Sequence, residues 1–146
     1  MGTYAVGIDM LAISRLQRVL ERHDGRFLSR VYTPEEVAFC RGRVAELAAR
    51  FAAKEAVMKA LGTGARGVGW REIEVLPDRR GKPLVYLYGR ARERAERIGL
   101  RAFDVSLTHE RDFAVAAVVG VRDEAPEDPQ ESRERLVRRM KERGLL

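Results

Sequence analysis

A long helix with a marked end is the feature that most limits how this sequence can fold, and residues 50–64 (RFAAKEAVMKALGTG) carry it. The apolar residues that recur at helical spacing are Leu47, Phe51, Met58 and Leu61. This spacing predicts one apolar stripe along a helix that begins near residue 44. The glycines at positions 62 and 64 allow the left-handed or open backbone that ends a helix. The rest of the chain must therefore pack around a central helix that stops at these glycines.

Glu55 and Lys59 lie four residues apart, which places them together on one flank of the predicted stripe. An ordinary surface ion pair is the simpler interpretation of such a pair. Small alanines continue the same flank, however, so the alternative is a place where a ligand docks. Lys54 falls within the apolar stripe itself and needs either a partner or a path to solvent.

The 146 residues suit one domain with its own core, and 34% of them are charged. The net charge of +6 predicts acidic partners, such as nucleic acid, anionic lipid, a phosphorylated small molecule or an acidic protein. Cys40 is the single cysteine, which excludes an internal disulfide and a cysteine-based metal site. The sequence shows neither a membrane-spanning apolar run nor a signal peptide, and we therefore expect a cytoplasmic protein.

The N-terminal residues 3–9 alternate as in a β-strand. Tyr4, Val6 and Ile8 form one face, and the opposite face has little side-chain volume until Asp9. A carboxylate at a strand end above small residues fits a ligand site. The alternative is that Asp9 is the N-cap of a helix predicted over residues 10–22.

Three arginines form a basic ridge along this first helix, at spacings of three and four residues. They are Arg15, Arg18 and Arg22. A solvated helix face is the usual explanation for such a pattern. The sharper hypothesis is a docking surface for an acidic helix or for phosphate groups.

The remaining pattern predicts an α+β fold, in which an antiparallel sheet packs against the long central helix. Thr33 begins a capping box, and a short helix follows to about residue 42. Strands are predicted over residues 71–76, 84–88, 102–107 and 113–121, with a charged helix over residues 89–98. The last of these strands is a continuous apolar run, which is typical of a buried central strand. We assign residues 1–122 to one domain and residues 123–146 to a charged helical extension, reached through a linker that contains Pro126 and Pro129.

Four short motifs then occur in a specific order: Gly7-Ile8-Asp9 followed by Arg15, the FxxKEAxxKALGTG run beginning at Phe51, Gly81-Lys82-Pro83, and Ser106-Leu107-Thr108-His109. In this order the sequence resembles the 4'-phosphopantetheinyl transferases, specifically the small holo-[acyl-carrier-protein] synthases. The central motif matches that family's signature over its full length. Thr108 departs from the family pattern, which has a serine there. The resemblance covers roughly residues 3–121 and leaves out the C-terminal tail.

The resemblance implies an enzyme that transfers the 4'-phosphopantetheine group of coenzyme A to a serine of apo acyl carrier protein, which supplies holo carrier protein for fatty acid synthesis. It assigns Asp9 and Glu55 to a Mg²⁺ ion and Lys59 to the pyrophosphate or to proton transfer. The chemistry agrees, because magnesium takes oxygen ligands and neutralises the charge that develops when a pyrophosphate is cleaved.

The resemblance also predicts contacts with coenzyme A. In addition to Lys59, the candidate residues are Arg50, Gly62, Gly64, Lys82, Pro83 and His109. For His109 a structural hydrogen-bonding role is the alternative to a phosphate contact. The glycine loop lacks the Walker pattern and is weak evidence for phosphate binding by itself.

Acyl carrier proteins are acidic, so the resemblance makes the ridge of Arg15, Arg18 and Arg22 a carrier-docking surface. It also implies a homotrimer with active sites shared between neighbouring subunits, and partners that include neither nucleic acid nor membrane. The competing hypothesis is a basic RNA-binding or ribosome-associated α+β module, which accounts for the arginines. That hypothesis leaves the two carboxylates unexplained, and the sequence shows no arrangement of aromatic residues for stacking on bases.

Overall fold

The structure is a computed structural model that describes residues 2–23, 25–123 and 127–146. Pro126 of the predicted linker lies outside these described residues. The elements are β1 (Thr3–Ala12), α1 (Ile13–His23), α2 (Gly25–Val31), α3 (Pro34–Cys40), α4 (Val44–Leu61), β2 (Ile73–Pro77), β3 (Pro83–Leu87), α5 (Gly89–Arg97), β4 (Leu100–His109), β5 (Phe113–Arg122) and α6 (Pro129–Glu142). Short 3₁₀ turns at Gly64–Arg66 and Trp70–Glu72 join α4 to β2. The predicted α+β class is confirmed.

The strands form two antiparallel sheets, which corrects the single sheet predicted from the sequence. One sheet has the order β1-β5-β4, and the other is the hairpin β2-β3. The two sheets are not continuous because β3 and β4 are not joined by a ladder of hydrogen bonds. The chain leaves β3 through helix α5, and β4 then pairs with β5. The apolar run in β5 is indeed the central strand of the larger sheet.

Strand β1 is three residues longer than predicted, so the predicted helix over residues 10–22 begins too early. Met10, Leu11 and Ala12 continue the antiparallel ladder with β5, where they face residues 115, 114 and 113. Helix α1 begins only at Ile13, whose backbone N–H donates to the carbonyl oxygen of Asp112 at 2.9 Å. Asp9 is therefore an interior strand residue, and the N-cap interpretation is wrong.

The small face of β1 lies directly against helix α4, and Gly7 shows how closely. A Cβ atom built on Gly7 would lie 1.8 Å from the carbonyl oxygen of Ala56. The backbones of the strand and the helix therefore approach without an intervening side chain. Helix α4 is consequently buried on most sides and not along one stripe only, with alanines at positions such as Ala52 and Ala53 filling the seam.

The opposite face of the three-stranded sheet is apolar and exposed. On β1 the side chains of Tyr4, Val6, Ile8 and Met10 are between 60% and 74% exposed. Val119 and Phe113 continue this face on β5. We call these six residues the exposed sheet face. Such a contiguous apolar surface marks an interaction site more often than a solvated one.

Lys54 finds the partner that the sequence required. Its Nζ atom lies 2.7 Å from Oε1 of Glu36, and both side chains are fully buried. Glu36 also accepts the backbone N–H of Thr33 at 3.0 Å, which completes the predicted capping box of α3. A buried charge pair is tolerated because each group has further hydrogen bonds, including the one that Lys54 donates to the carbonyl oxygen of Trp70.

A second buried carboxylate, that of Glu74, joins this region to the hairpin. Thr33 Oγ1 donates to Glu74 at 2.6 Å, and the Tyr88 hydroxyl donates to it at 2.8 Å. The hydrogen bond to Glu74, followed by burial, raises the pKa of Tyr88 to about 12. These contacts hold α3 and the β2-β3 sheet at the far side of α4.

The C-terminal helix α6 has no buried residue, which agrees with a charged extension. Its N-cap is Asp128, and Pro129 occupies the first turn. Within the ranges that the structure describes, no helix has the length and apolar character needed to cross a bilayer.

Candidate active site

Strand β1 and helix α4 bring together the three residues that the sequence predicts as catalytic. Lys59 extends from the last turn of α4, and its Nζ atom lies 3.3 Å from Oδ1 of Asp9. The same ammonium donates to the carbonyl oxygen of Ile8 at 2.8 Å. Glu55 stands one helical turn earlier on the same side of α4. The close contact between Gly7 and Ala56 fixes this arrangement, because it sets the spacing of the two elements.

The electrostatics of Glu55 show that the two carboxylates are close enough to interact. Its pKa is raised above the ordinary value of 4.5, first by burial and then by the negative charge of Asp9, while Lys59 opposes the shift. Two carboxylates that share one site disfavour each other's ionisation. The cluster of Asp9, Glu55 and Lys59 therefore has a place for additional positive charge.

Asp9 and Glu55 line one cleft of about 340 Å³ beside strand β1. Arg15, at the start of α1, lines the same cleft and provides a cation at its edge. The other lining residues are apolar and are Met10, Leu11, Leu16, Val19, Phe27 and Phe51. The cleft thus combines a charged end with an apolar wall, as small-molecule sites commonly do.

One residue of this apolar wall, Phe27, was not predicted from the sequence. Phe27 belongs to α2, a helix of seven residues that the periodicity did not indicate. Its ring stacks with that of Phe51, at 6.1 Å between centroids, and Phe51 stacks on Trp70 at 4.8 Å. The available signal was the spacing of Phe27, Leu28 and Val31, which is helical but too short to stand out.

The residues present fit a magnesium ion. Among the described residues, no group of three or more histidine, cysteine, aspartate or glutamate side chains is arranged to hold a metal. The protein's share here is two carboxylates, Asp9 and Glu55. Two protein ligands are sufficient for magnesium, because waters and substrate phosphates supply its other ligands. The raised pKa of Glu55 beside Asp9 is the electrostatic signature of a pair that a divalent cation would stabilise.

His109 does not join this cluster within one chain. It ends β4, on the sheet face that also carries Asp9, but strand β5 lies between β4 and β1. Two strand spacings correspond to about 10 Å. The Nε2 atom lies 3.9 Å from Oε1 of Glu46, and the ring is 42% exposed. His109 is therefore available at the outer edge of β4 and distant from the cleft.

Arg50 is a buried structural residue in this chain. Its Nε donates to the carbonyl oxygen of Val75 at 3.0 Å, and its Nη1 lies 2.7 Å from Oε2 of Glu46. The guanidinium also lies over the ring of Phe39, 4.6 Å from its centroid. These contacts occupy the side chain, so the structure gives no support to the predicted coenzyme contact of Arg50.

The glycine loop and the hairpin turn have the predicted backbone. Gly62 and Gly64 have φ angles of 72° and 59°, and Gly62 ends α4 as expected. Lys82 precedes Pro83 at the start of β3, and its Nζ lies 2.6 Å from Oδ1 of Asp104 on β4. This ion pair places the turn beside the outer strand β4.

The predicted docking ridge lies on the solvent side of α1. Arg15, Arg18 and Arg22 are all exposed, while Leu16 of the same helix is buried. Within the parts of the chain that the structure describes, none of the three arginine side chains has a hydrogen bond or an ion pair. The ridge therefore presents free guanidinium groups from the edge of the Asp9 cleft outward.

Comparison with known proteins agrees with this geometry. The family profile of the 4'-phosphopantetheinyl transferase superfamily matches residues 5–118. The chain is 47% identical to a holo-[acyl-carrier-protein] synthase of Herpetosiphon aurantiacus over 122 residues, which are 79% of this chain and 96% of that protein. It is 49% identical to the Moorella thermoacetica enzyme of the same name, over 77% of this chain and 90% of the relative.

The fold is also similar to that of a solved structure. The Helicobacter pylori holo-[acyl-carrier-protein] synthase, crystallised in complex with coenzyme A, matches with a TM-score of 0.73 and 29% identity. The match covers 79% of this chain and 98% of that protein. Sequence, fold and the placement of Asp9, Glu55 and Lys59 thus lead to one conclusion: this chain is a member of the 4'-phosphopantetheinyl transferase superfamily.

Proposed function

We propose that this protein transfers the 4'-phosphopantetheine group of coenzyme A to a serine of an acyl carrier protein. The observation that carries the proposal is that Asp9 and Glu55 line one cleft, with Lys59 paired to Asp9, in a chain of this family. The relatives named above are holo-[acyl-carrier-protein] synthases, and the solved relative binds coenzyme A. The chain spans 90% or more of each of these proteins, so the similarity extends over nearly their whole length.

The reaction forms one phosphorus–oxygen bond and breaks another. The carrier serine oxygen attacks the phosphorus that bears the pantetheine arm, the pyrophosphate bridge breaks, and adenosine 3',5'-bisphosphate leaves while the serine hydroxyl loses its proton. Asp9 and Glu55 would hold Mg²⁺, which supplies charge neutralisation on the phosphates when bound. The protein contributes mainly positioning and fixed charge, as in phosphoryl transfer generally.

Lys59 is the residue that we assign to the phosphates. Its side chain is half-exposed, and its ammonium is held by Asp9 and the Ile8 carbonyl. A flexible point charge in this position can turn toward a phosphate oxygen and offset the charge that develops on the leaving group. We also propose, from the family resemblance, that coenzyme A is contacted by Gly62, Gly64, Lys82, Pro83 and His109.

We assign carrier docking to the ridge of Arg15, Arg18 and Arg22. Arg15 lines the cleft that contains the carboxylates, and the other two arginines continue away from it along α1. An acidic helical partner on this ridge would bring its serine to the cleft. Opposite charges would also increase the rate of encounter.

The exposed sheet face supports assembly with further copies of the chain. Four large apolar side chains on β1 alone are at least 60% exposed, which is unusual for a monomer. A homotrimer would bury this face. Closed rings use heterologous contacts, in which one edge of a subunit meets the opposite edge of its neighbour.

Such a ring would also account for the separation of the predicted site residues. Asp9 lies on β1, one outer strand of the sheet, whereas His109 and the partner of Lys82 lie on β4, the other outer strand. Contact between the β1 edge of one subunit and the β4 edge of the next would join the two sets. Active sites shared between neighbouring subunits follow from that arrangement.

The domain assignment and cellular role complete the proposal. Residues 1–122 form the transferase domain, and residues 123–146 form an extension that carries α6. The product, a holo carrier protein, would serve fatty acid synthesis in the cytoplasm.

The decisive experiment is a transfer assay with apo acyl carrier protein and coenzyme A, in which mass spectrometry detects the modified carrier. We expect product with Mg²⁺ and none with EDTA, and a severe loss of rate in Asp9→Asn and Glu55→Gln although both variants keep the fold. Removing a metal ligand should also raise the magnesium concentration that is required. Magnesium-independent binding to RNA with no transfer would instead favour the nucleic-acid module.

A further inference from the structure

Four arginines converge on a second pocket of about 580 Å³, at the C-terminal end of α4. They are Arg66, Arg90, Arg94 and Arg97, and the other lining residues are Gly62, Thr63, Gly67 and Glu93. None of these residues lines the Asp9 cleft. The lining residues carry four positive charges and one negative charge, and Glu72 neutralises Arg90 from outside the pocket, which leaves an excess of two. We propose that this arginine pocket is a binding site for a phosphate group of a small molecule.

Two elements that are distant in sequence build the pocket. Arg90, Arg94 and Arg97 recur at spacings of four and three, which places them on one face of α5. Arg66 comes from the 3₁₀ turn that follows α4. The preference for cations at helix C-termini accounts for Arg94 and Arg97, which stand in the last turn of α5. It does not account for Arg90 at the start of that helix, or for Arg66 on a different element.

The guanidinium groups retain donors for a ligand. Arg94 uses its Nε to bond the Leu61 carbonyl at 3.0 Å, and Arg90 uses its Nε to bond Glu72 at 3.0 Å. In both side chains the hydrogen bond leaves terminal N–H groups for another acceptor. Within the described residues, the side chains of Arg66 and Arg97 make no hydrogen bond or ion pair. Planar guanidinium groups with free paired donors are well suited to phosphate oxygens.

Thr63 provides an independent observation at the wall of the same pocket. Its Oγ1 is the one buried side-chain polar atom without a hydrogen-bond partner among the residues that the structure describes. Buried polar groups normally have partners, so an unsatisfied hydroxyl needs an explanation. A phosphate oxygen bound in the pocket that Thr63 lines could supply the missing acceptor.

The loop that carries Thr63 is held in a compact shape. Gly64 has a left-handed φ of 59°, and a Cβ atom on Gly67 would lie 3.0 Å from Cβ of Thr63. Because Gly67 has no side chain, the loop can fold back on Thr63. The hydrogen bond from Arg94 to the Leu61 carbonyl holds the end of α4 beside this loop. The floor of the pocket is therefore formed before any ligand arrives, which lowers the cost of binding.

Binding of sodium pyrophosphate to the full-length protein, measured by calorimetry in EDTA at constant ionic strength, tests the proposal. EDTA keeps divalent cations away from Asp9 and Glu55, and the pocket variants distinguish binding at the arginine pocket from binding at Lys59. We expect saturable binding, which Arg66→Gln combined with Arg97→Gln weakens about tenfold or more, as expected for lost charge-assisted hydrogen bonds. Neither side chain has a partner among the described residues, so this double variant should unfold at the same temperature as wild type.

The matched control is Arg133→Gln combined with Arg138→Gln on α6, which removes the same charge outside the pocket. Binding in this control should stay within about twofold of wild type, since neither arginine lines the pocket. No saturable binding, or an equal loss in the control, would overturn the proposal and leave a solvated basic face.

Coenzyme A and 3'-dephospho-coenzyme A distinguish the source of the phosphate group. If the pocket holds the 3'-phosphate of the coenzyme, the pocket variant will weaken coenzyme A more than the dephospho form. If it holds a free phosphate or pyrophosphate, the variant will weaken pyrophosphate alone. Both results support a phosphate site and assign its ligand.

Discussion

Lys59 on helix α4 reaches strand β1, where its Nζ atom lies 3.3 Å from Oδ1 of Asp9. The Lys59 side chain is 53% exposed, and exposed ion pairs contribute less than about 1 kcal/mol to stability. The fold therefore depends little on this contact, whereas the proposed chemistry depends on the charge. We expect Lys59→Met to lower kcat about 100-fold and to change the free energy of unfolding by less than about 1 kcal/mol.

Steady-state kinetics and urea unfolding of the same preparation check both halves of this prediction. Lys141→Met, on the exposed helix α6, is the matched control and should keep full activity. A Lys59→Met enzyme with normal kcat would mean that the ammonium has only the structural role of joining α4 to β1.

Gly7 should be the least replaceable small residue of β1. An added Cβ would meet the Ala56 carbonyl oxygen at 1.8 Å, so Gly7→Ala must push the strand away from the helix. Overpacking typically costs about 1–3 kcal/mol, and a contact this short with a backbone atom should fall at the upper end. Gly25→Ala is the control, since nothing lies within 4 Å of its added Cβ. Thermal unfolding by circular dichroism compares the two, and equal melting temperatures would contradict the close approach of β1 and α4.

Assembly should depend on the exposed sheet face. Ile8 is 60% exposed at the middle of that face, and a charge there could not be buried without a partner. We expect the wild type to form trimers and Ile8→Arg to remain monomeric, as measured by light scattering after size-exclusion chromatography. Tyr86→Arg changes an exposed aromatic residue on the β2-β3 sheet and should leave the trimer intact. A monomeric wild type would remove the proposed basis for shared active sites.

Carrier recognition should respond to Arg15 and to salt. Arg15→Glu reverses the charge at the edge of the cleft, so the KM for the carrier should rise much more than the KM for coenzyme A. The wild-type association rate should fall as salt is added, because screening limits the attraction to about 8 Å near physiological ionic strength. Kinetics with each substrate varied in turn, at low and high salt, measure both effects. An Arg15→Glu variant with unchanged KM for the carrier would move the docking surface elsewhere, and Arg92→Glu controls for net charge.

The stability of the fold should depend on pH through Tyr88. Its hydroxyl donates to Glu74, and the pKa of Tyr88 rises from 10.0 to about 12. A raised pKa means that the folded state favours the protonated form. The stabilisation is therefore complete below pH 10 and is lost as the pH rises through about 12. Tyr88→Phe should be less stable than wild type at pH 8 by about 1 kcal/mol. That difference should disappear near pH 12, and urea unfolding at both pH values measures it.

Local rules were sufficient for the elements whose ends depend on special residues. Gly62 ends α4 because it adopts the left-handed backbone, and Thr33 begins α3 through a capping box. The length of β1 could not be predicted in this way, since residues 10–12 pair with β5 about a hundred positions later. The partner of Lys54 could not be predicted either, because Glu36 contacts Lys54 only after α3 packs against α4.

The candidate site shows the same division between local and tertiary information. Glu55 and Lys59 share a helix face, and the motif order linked them to Asp9 before the structure did. The apolar wall of the cleft depends on Phe27, whose seven-residue helix has no strong signal of its own. His109 and Asp9 belong to one motif set, yet they stand on opposite outer strands of one sheet.

The contact between Gly7 and the Ala56 carbonyl determines how the site responds to heat. Strand β1 cannot shift relative to α4 unless the buried seam between them opens, and this seam is part of the main core. The backbones that carry Asp9 and Glu55 can therefore separate only when this seam opens. Each subunit's part of the site should then keep its geometry up to the temperature at which the domain unfolds.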